Sequence, residues 1–194
     1  KMESTRYVFN TNVGLGADFR LDKRNTLNVD FKCIIPRLNI SQNLVNTFAG
    51  SYDDRVEHRH NDVTWNRENI EVSASYKHII RPEVSDFSIK GSISKIWGHR
   101  PSYYFLEGKE INRSNSAGSP FITAMQGDFM NKFNAGTLTA GAKLTFRSNS
   151  QYHEFYSNEN DQWIYSEYFS KDLLHTELVP AAYLMFSSKA GKRF

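Results

Sequence analysis

The sequence predicts an all-β fold, an antiparallel up-and-down meander of long strands. Three observations carry this. Apolar and polar residues alternate with period two over long stretches, the connections between those stretches run alternately short and long, and no helical period is sustained over the 194 residues. The clearest unit is Phe121 to Arg147. On its first arm Phe121, Thr123, Met125, Phe129 and Phe133 alternate with Gln126, Asp128 and Lys132. On its second arm Leu138, Ala140, Ala142, Leu144 and Phe146 alternate with Thr137, Thr139, Lys143, Thr145 and Arg147. Asn134-Ala135-Gly136 joins them, a tight polar turn with a glycine free to take positive φ. That is the form of a β-hairpin with one apolar and one wet face.

The other elements repeat it. The first strand, about Arg6 to Leu21, sets Tyr7, Phe9, Val13, Leu15, Ala17 and Phe19 against Asn10, Asn12, Gly14, Gly16, Asp18 and Arg20. A polar turn follows, and the second strand puts Leu27, Val29, Phe31, Cys33 and Ile35 against Asn28, Asp30 and Lys32, with Pro36 near its end. The third, Ile70 to Ile80, faces Ile70, Val72, Ala74 and Tyr76 away from Glu71, Ser73, Ser75 and Lys77. The fourth sets Phe87, Ile89, Ile93 and Trp97 against Ser88, Lys90, Ser92 and Ser94. The Phe121–Arg147 hairpin supplies the fifth and sixth. The seventh, Leu173 to Ser187, carries Leu174, Leu178, Ala182, Leu184 and Phe186 on its apolar face, and a turn-like 188–192 follows.

The whole chain, 1–194, is therefore read as a single β-barrel segment of about seven strands. Short turns fall near 22–26, 81–86 and 134–136, and long loops near 39–69, 98–120 and 148–171. All short turns lie at one end of such a meander and all long loops at the other, as in outer-membrane barrels. Strands of roughly 11 to 16 residues exceed the 9–11 that cross a bilayer and the five or six usual in globular sheets. The fold expected is thus a transmembrane β-barrel segment with outer-membrane lipid against its apolar face. An odd strand count does not close a single-chain bacterial barrel, so an eighth strand or a larger barrel is expected. No signal peptide is recognisable, and a chain opening Lys1-Met2 in mid-pattern is expected to be cut from something longer. The terminal Phe194 is read as coincidence, because Lys192 and Ala190 break the alternation behind it.

Composition excludes several classes. With 23% charged and 39% hydrophobic residues, no run of about 20 apolar residues exists to form a membrane helix, which leaves strands as the only route across. A formal charge of +3 with scattered Lys and Arg argues against nucleic acid. Cys33 is the single cysteine, so there is no internal disulfide. Aromatics at 14% suit strands and interfacial girdles.

The loops hold the candidate ligand-binding residues, Trp65, Tyr103, Tyr104, Trp163, Tyr165 and Tyr168, a possible platform for a sugar or peptide. Girdle positions or packing within the loops are the plainer account of the same aromatics, with Trp97 the best girdle residue. His58 and His60 would share a face of an extended segment and are the weak candidates for metal. Their spacing matches no standard zinc pattern, so no metal and no cofactor is expected. His99, His153 and His175 have no local catalytic partner, so no enzyme is expected either.

Two blocks go further than pattern. Met125-Gln126-Gly127-Asp128-Phe129, and Gly136-Thr137-Leu138-Thr139-Ala140-Gly141-Ala142-Lys143 with Arg147, resemble the recurring strand pair of the Bacteroidetes outer membrane protein beta-barrel family, proteins like TonB-dependent receptors. Glu177-Leu178-Val179-Pro180-Ala181-Ala182-Tyr183, followed by Ser188-Lys189, resembles the next strand, and Gly14-Leu15-Gly16-Ala17-Asp18 is similar to an earlier one. The resemblance implies a barrel of about 22 strands closed around an N-terminal plug domain and driven through the TonB system. This chain shows neither plug nor TonB-contacting segment and would be roughly a third of such a barrel. The function implied is binding and uptake of a nutrient ligand across the bacterial outer membrane. A stand-alone β-barrel binding protein, soluble or membrane-embedded, and a structural subunit of an envelope complex are the alternatives.

Overall fold

The computed structural model describes residues 1–48 and 55–188. Nine strands follow in order: β1 (Met2–Arg20), β2 (Asn25–Phe48), β3 (Arg55–Arg81), β4 (Ser85–Leu106), β5 (Lys109–Gly118), β6 (Phe121–Phe133), β7 (Gly136–Glu159), β8 (Gln162–Tyr165) and β9 (Lys171–Ser187). All pairings are antiparallel within one sheet. β5 and β6 are successive pieces of one line between β4 and β7, interrupted at Ser119-Pro120. β8 and β9 are likewise two pieces lying along β7. Nine strands therefore occupy seven positions.

The turns at one end are tight. Residues 21–24 join β1 to β2, where Asp22 Oδ1 accepts from the backbone N–H of Arg24 at 2.6 Å and of Asn25 at 2.9 Å. The Arg24 N–H, then the Asn25 amide, hold the Asp22 carboxyl below its ordinary 3.8. Gly136 opens β7, and a Cβ there would collide with the Ser187 carbonyl. Its freedom serves close approach as well as the turn.

The long loops are corrected by the structure. Within 39–69 the described residues continue β2 to Phe48 and resume as β3 at Arg55, residues 49–54 lying outside the described residues. Within 98–120 and 148–171, β4 and β7 run on and are answered by β5 and β8, with two-residue turns at Glu107-Gly108 and Asn160-Asp161, all at positive φ. Of the turn read at 188–192 only Ser188 is described, and Ala190, Lys192 and Phe194 lie outside.

Register explains why those extensions did not read as strands. Directly opposed residues share a face, and through the lower half of the sheet one face collects the apolar set: Leu15, Phe31, Val72, Ile93, Thr123, Phe146 and Leu178 form one continuous row. At Pro36 the phase slips. Beyond it Leu38, Ile40 and Leu44 lie on the opposite face, matched in β3 by Val63 and Trp65, and of the apolar residues of β2 there only Val45 keeps to the first face. A one-residue change of phase moves every apolar side chain across the sheet, so a pattern read from the lower strands ends where the strands themselves continue.

The sheet is one layer with almost no core. Val63, at 7% exposure, is the one buried hydrophobic residue among those described. On the apolar face Leu15, Ile93, Met125 and Leu184 stand 54–74% exposed. An uncovered apolar face of this size is not tolerated in water. It runs from the Phe87–Phe129–Ala140–Leu184 row to Trp97, roughly 33 Å of strand at 3.3 Å per residue. A tilt of about 40° brings this to about 25 Å, the height of the lipid-facing band of an outer-membrane barrel.

Candidate functional site

Each side of the sheet has its own chemistry, and the candidates must be placed by side and by level. Below the phase slip, the face opposite the apolar band is an ionic surface. Lys32, Glu71, Arg147 and Glu177 share one row, with Arg147 paired to Glu177 at 2.8 Å, and Lys77 pairs with Asp86 at 3.0 Å. On the same face the Tyr183 hydroxyl donates to Asp128 at 2.6 Å, reaching it across Gly141. Any Cβ at Gly141 would strike both partners. This face is built for water or for another polar surface.

Above the band, the aromatic candidates separate. Tyr103, Trp163 and Tyr165 lie on the face continuous with the apolar band, and Trp65 and Tyr104 on the other. The first three gather around Arg113. Its guanidinium sits 4.0 Å from the Trp163 ring centre and 5.6 Å from that of Tyr156, which packs against Tyr165 at 5.5 Å. Tyr168, 82% exposed in the turn before β9, stacks edge-on against Phe169 at 5.0 Å. The six therefore form no single platform.

His58 and His60 share a face of β3, as extended spacing requires, but His60 is engaged on both nitrogens, by Asn43 Oδ1 at 2.6 Å and Asp62 at 2.9 Å. No three His, Cys, Asp or Glu side chains converge as metal ligands among the described residues. His153 does have a partner that local spacing did not reveal. It sits directly opposite Ser116, 37 residues away, with Nδ1 2.7 Å from Oγ. At the tips of the β4–β5 and β7–β8 hairpins Lys109 pairs with Asp161 at 2.8 Å, and the hydrogen bond and charge of Lys109 hold that carboxyl below its ordinary 3.8.

A cavity lies just above the band, on the Trp65 side. It measures about 690 Å³ and is lined by Trp65, Arg67, Arg100, Gln151, His153 and Lys171 among others, a size suited to a small-molecule ligand. Its position follows from three prolines. The β2–β3 ladder lapses between Ile34↔Asn69 and Arg37↔Asn66 beside Pro36, and the β3–β4 ladder between Val63↔Ser102 and Asn66↔His99 beside Pro101. Pro120 lies in the break between β5 and β6. A proline has no N–H to give a ladder, and these three bracket one zone of the sheet: Pro36 lies in the row of Arg67 and Gly98, Pro101 above that row and Pro120 below it, opposite Ile96. Gly98 faces Gly118 there, leaving the floor without side chains.

Residues 101–194 match the outer membrane protein beta-barrel family. The fold is that of an outer-membrane β-barrel segment, and its location is the bacterial outer membrane. The uncovered band, the wet opposite face and the long antiparallel strands described above are what such a barrel requires. The crystal structure of the ferric yersiniabactin uptake receptor FyuA from Yersinia pestis is similar over 81% of this chain, at 10% identity and a TM-score of 0.44. The outer-membrane chain corresponds to 25% of that receptor's length. No curated protein sequence matches it.

Proposed function

We propose that this chain forms part of the wall of a TonB-dependent-receptor-type barrel that binds and takes up a nutrient ligand, without catalysing a reaction on it. The observation supporting this most directly is the face opposite the lipid band. Charged and hydrogen-bonding side chains cover it row after row, as a wide water-filled or plugged lumen needs and a small barrel packed with side chains does not. The resemblance of the Met125–Phe129 and Gly136–Lys143 blocks supplies the TonB assignment, and with it a plug domain and energy drawn from the inner membrane. In this reading the band faces lipid and the extensions above it form the entry vestibule.

The test is a deletion strain compared with its parent during growth on limiting nutrient pools. Growth on at least one pool should fail, return with the native gene on a plasmid, and stop in the complemented strain when a protonophore is added. Uptake that continues after the protonophore would identify a passive pore and overturn the TonB reading.

A further inference from the structure

We infer that the cavity beside Trp65 is a binding site for a small molecule carrying two or more carboxylate or phosphate groups. The inference rests on the uptake reading above and names its ligand class. Four successive rows of the lumen face carry the argument. In strand order they are Asn12-Ile34-Asn69-Ile96, then Asn10-Pro36-Arg67-Gly98-Gly118-Gln151-Leu173, and then Val8-Leu38-Trp65 with Arg100-Ser116-His153-Lys171. The last is Arg6-Ile40-Val63-Ser102-Ser114-Phe155. They hold Arg6, Arg67, Arg100 and Lys171, and no Asp or Glu.

The carboxylates at this level, Asp62, Glu68, Glu154 and Asp172, all lie on the opposite face by register. Asp172 borders the cavity, but its partner Tyr152 places it on that other side. None of the four cations is in an ion pair among the described residues, although Lys77, Lys109 and Arg147 elsewhere each have one. Cations gathered on one wall without counter-charges create a positive potential that a wall of low dielectric focuses.

Spacing and shape narrow the ligand. Arg100 and Lys171 are three strand positions apart, about 14 Å at 4.8 Å per strand, so a ligand touching both is larger than one phosphate. Trp65, 42% exposed between Arg67 and Arg100, offers a flat surface to a ring. Guanidinium groups bind carboxylate and phosphate in paired hydrogen bonds. Lipid headgroups do not reach these cations, because the lipid-facing band is on the other side of the sheet.

The experiment uses the full-length native protein extracted in detergent, with inorganic pyrophosphate and benzene-1,3,5-tricarboxylate as probes in equilibrium dialysis. Arg67→Gln/Arg100→Gln is compared with Lys23→Gln/Arg24→Gln, which removes the same charge at the opposite end of the strands. The tricarboxylate should bind more tightly than pyrophosphate, weaken at least tenfold in the first variant and in 0.5 M salt, and be unchanged in the second and by added lipopolysaccharide. Equal binding by both variants, competition by lipopolysaccharide, or no binding of either probe by wild type would overturn the assignment. Heat-modifiability on gels confirms that each variant is folded. Probe binding in a protein whose deletion leaves uptake intact would sink the transport reading alone. Arg-dependent loss of neither binding nor growth in an uptake-competent strain would sink the anion site alone.

Discussion

Gly141 shows how much one missing side chain arranges. Three strands converge on it, with Tyr183 of β9 laid across its backbone and donating to Asp128 of β6. Gly141→Val should expel the ring and lower stability to denaturant in phospholipid far more than Tyr183→Phe, which removes the hydrogen bond and keeps the packing. Equal losses from the two would show that the ring's position over the glycine contributes nothing. Gly141 was visible in the sequence only as part of a family-like block. Its physical task was not, because the two groups it admits lie 13 residues before and 42 after it and meet only through register.

The long strands have a lower portion that crosses lipid and an upper portion that does not, and the two are not equally legible in the sequence. Leu15, Val72, Ile93 and Leu144 were placed on one face by alternation alone, because lipid on one side and water on the other impose period two. Residues 55–69 of β3 carry no strand pattern in the sequence, because both faces there meet water and Val63 and Trp65 have changed sides. The binding aromatics shared that fate: nothing local tells that Trp65 and Tyr104 face away from Tyr103 and Trp163. The distinction can be measured. Leu144→Arg and Leu15→Arg lie near the middle of the band and should each lower unfolding free energy in phospholipid by about 2–4 kcal/mol, whereas Leu174→Arg, level with Trp97 at the upper edge of the band, should cost about 0–1. A uniform cost along the three would mean that the band is misplaced.

At the scale of the molecule the sheet is a single curtain bounded by β1 and β9, each paired on one side only among the described residues. Backbone groups left bare in hydrocarbon are too costly to persist, so in the membrane both outer edges must be taken by further strands. Amide exchange on the full-length protein in phospholipid tests this. The amides of β1 and β9 within the band should exchange as slowly as those of β3, which is paired on both sides, and fast exchange along either margin would show an open edge. The alternation of turns made the seven-position meander readable from sequence, but not that two of its lines are broken, at 119–120 and 166–170, because pairing continues through both interruptions from neighbouring strands.

Pro36, Pro101 and Pro120 bracket the row of Arg67, Gly98 and Gly118, where the lipid-facing pattern ends and the ladders lapse. They make a seam. Below it, each substitution is judged by whether the barrel inserts, and above it by what the vestibule holds. Because few ladder bonds cross that line near the cavity, the upper part can diverge among related barrels without disturbing insertion. Grafting another barrel's rim onto this wall would be cut most cleanly there, in the row of Arg67, Gly98 and Gly118.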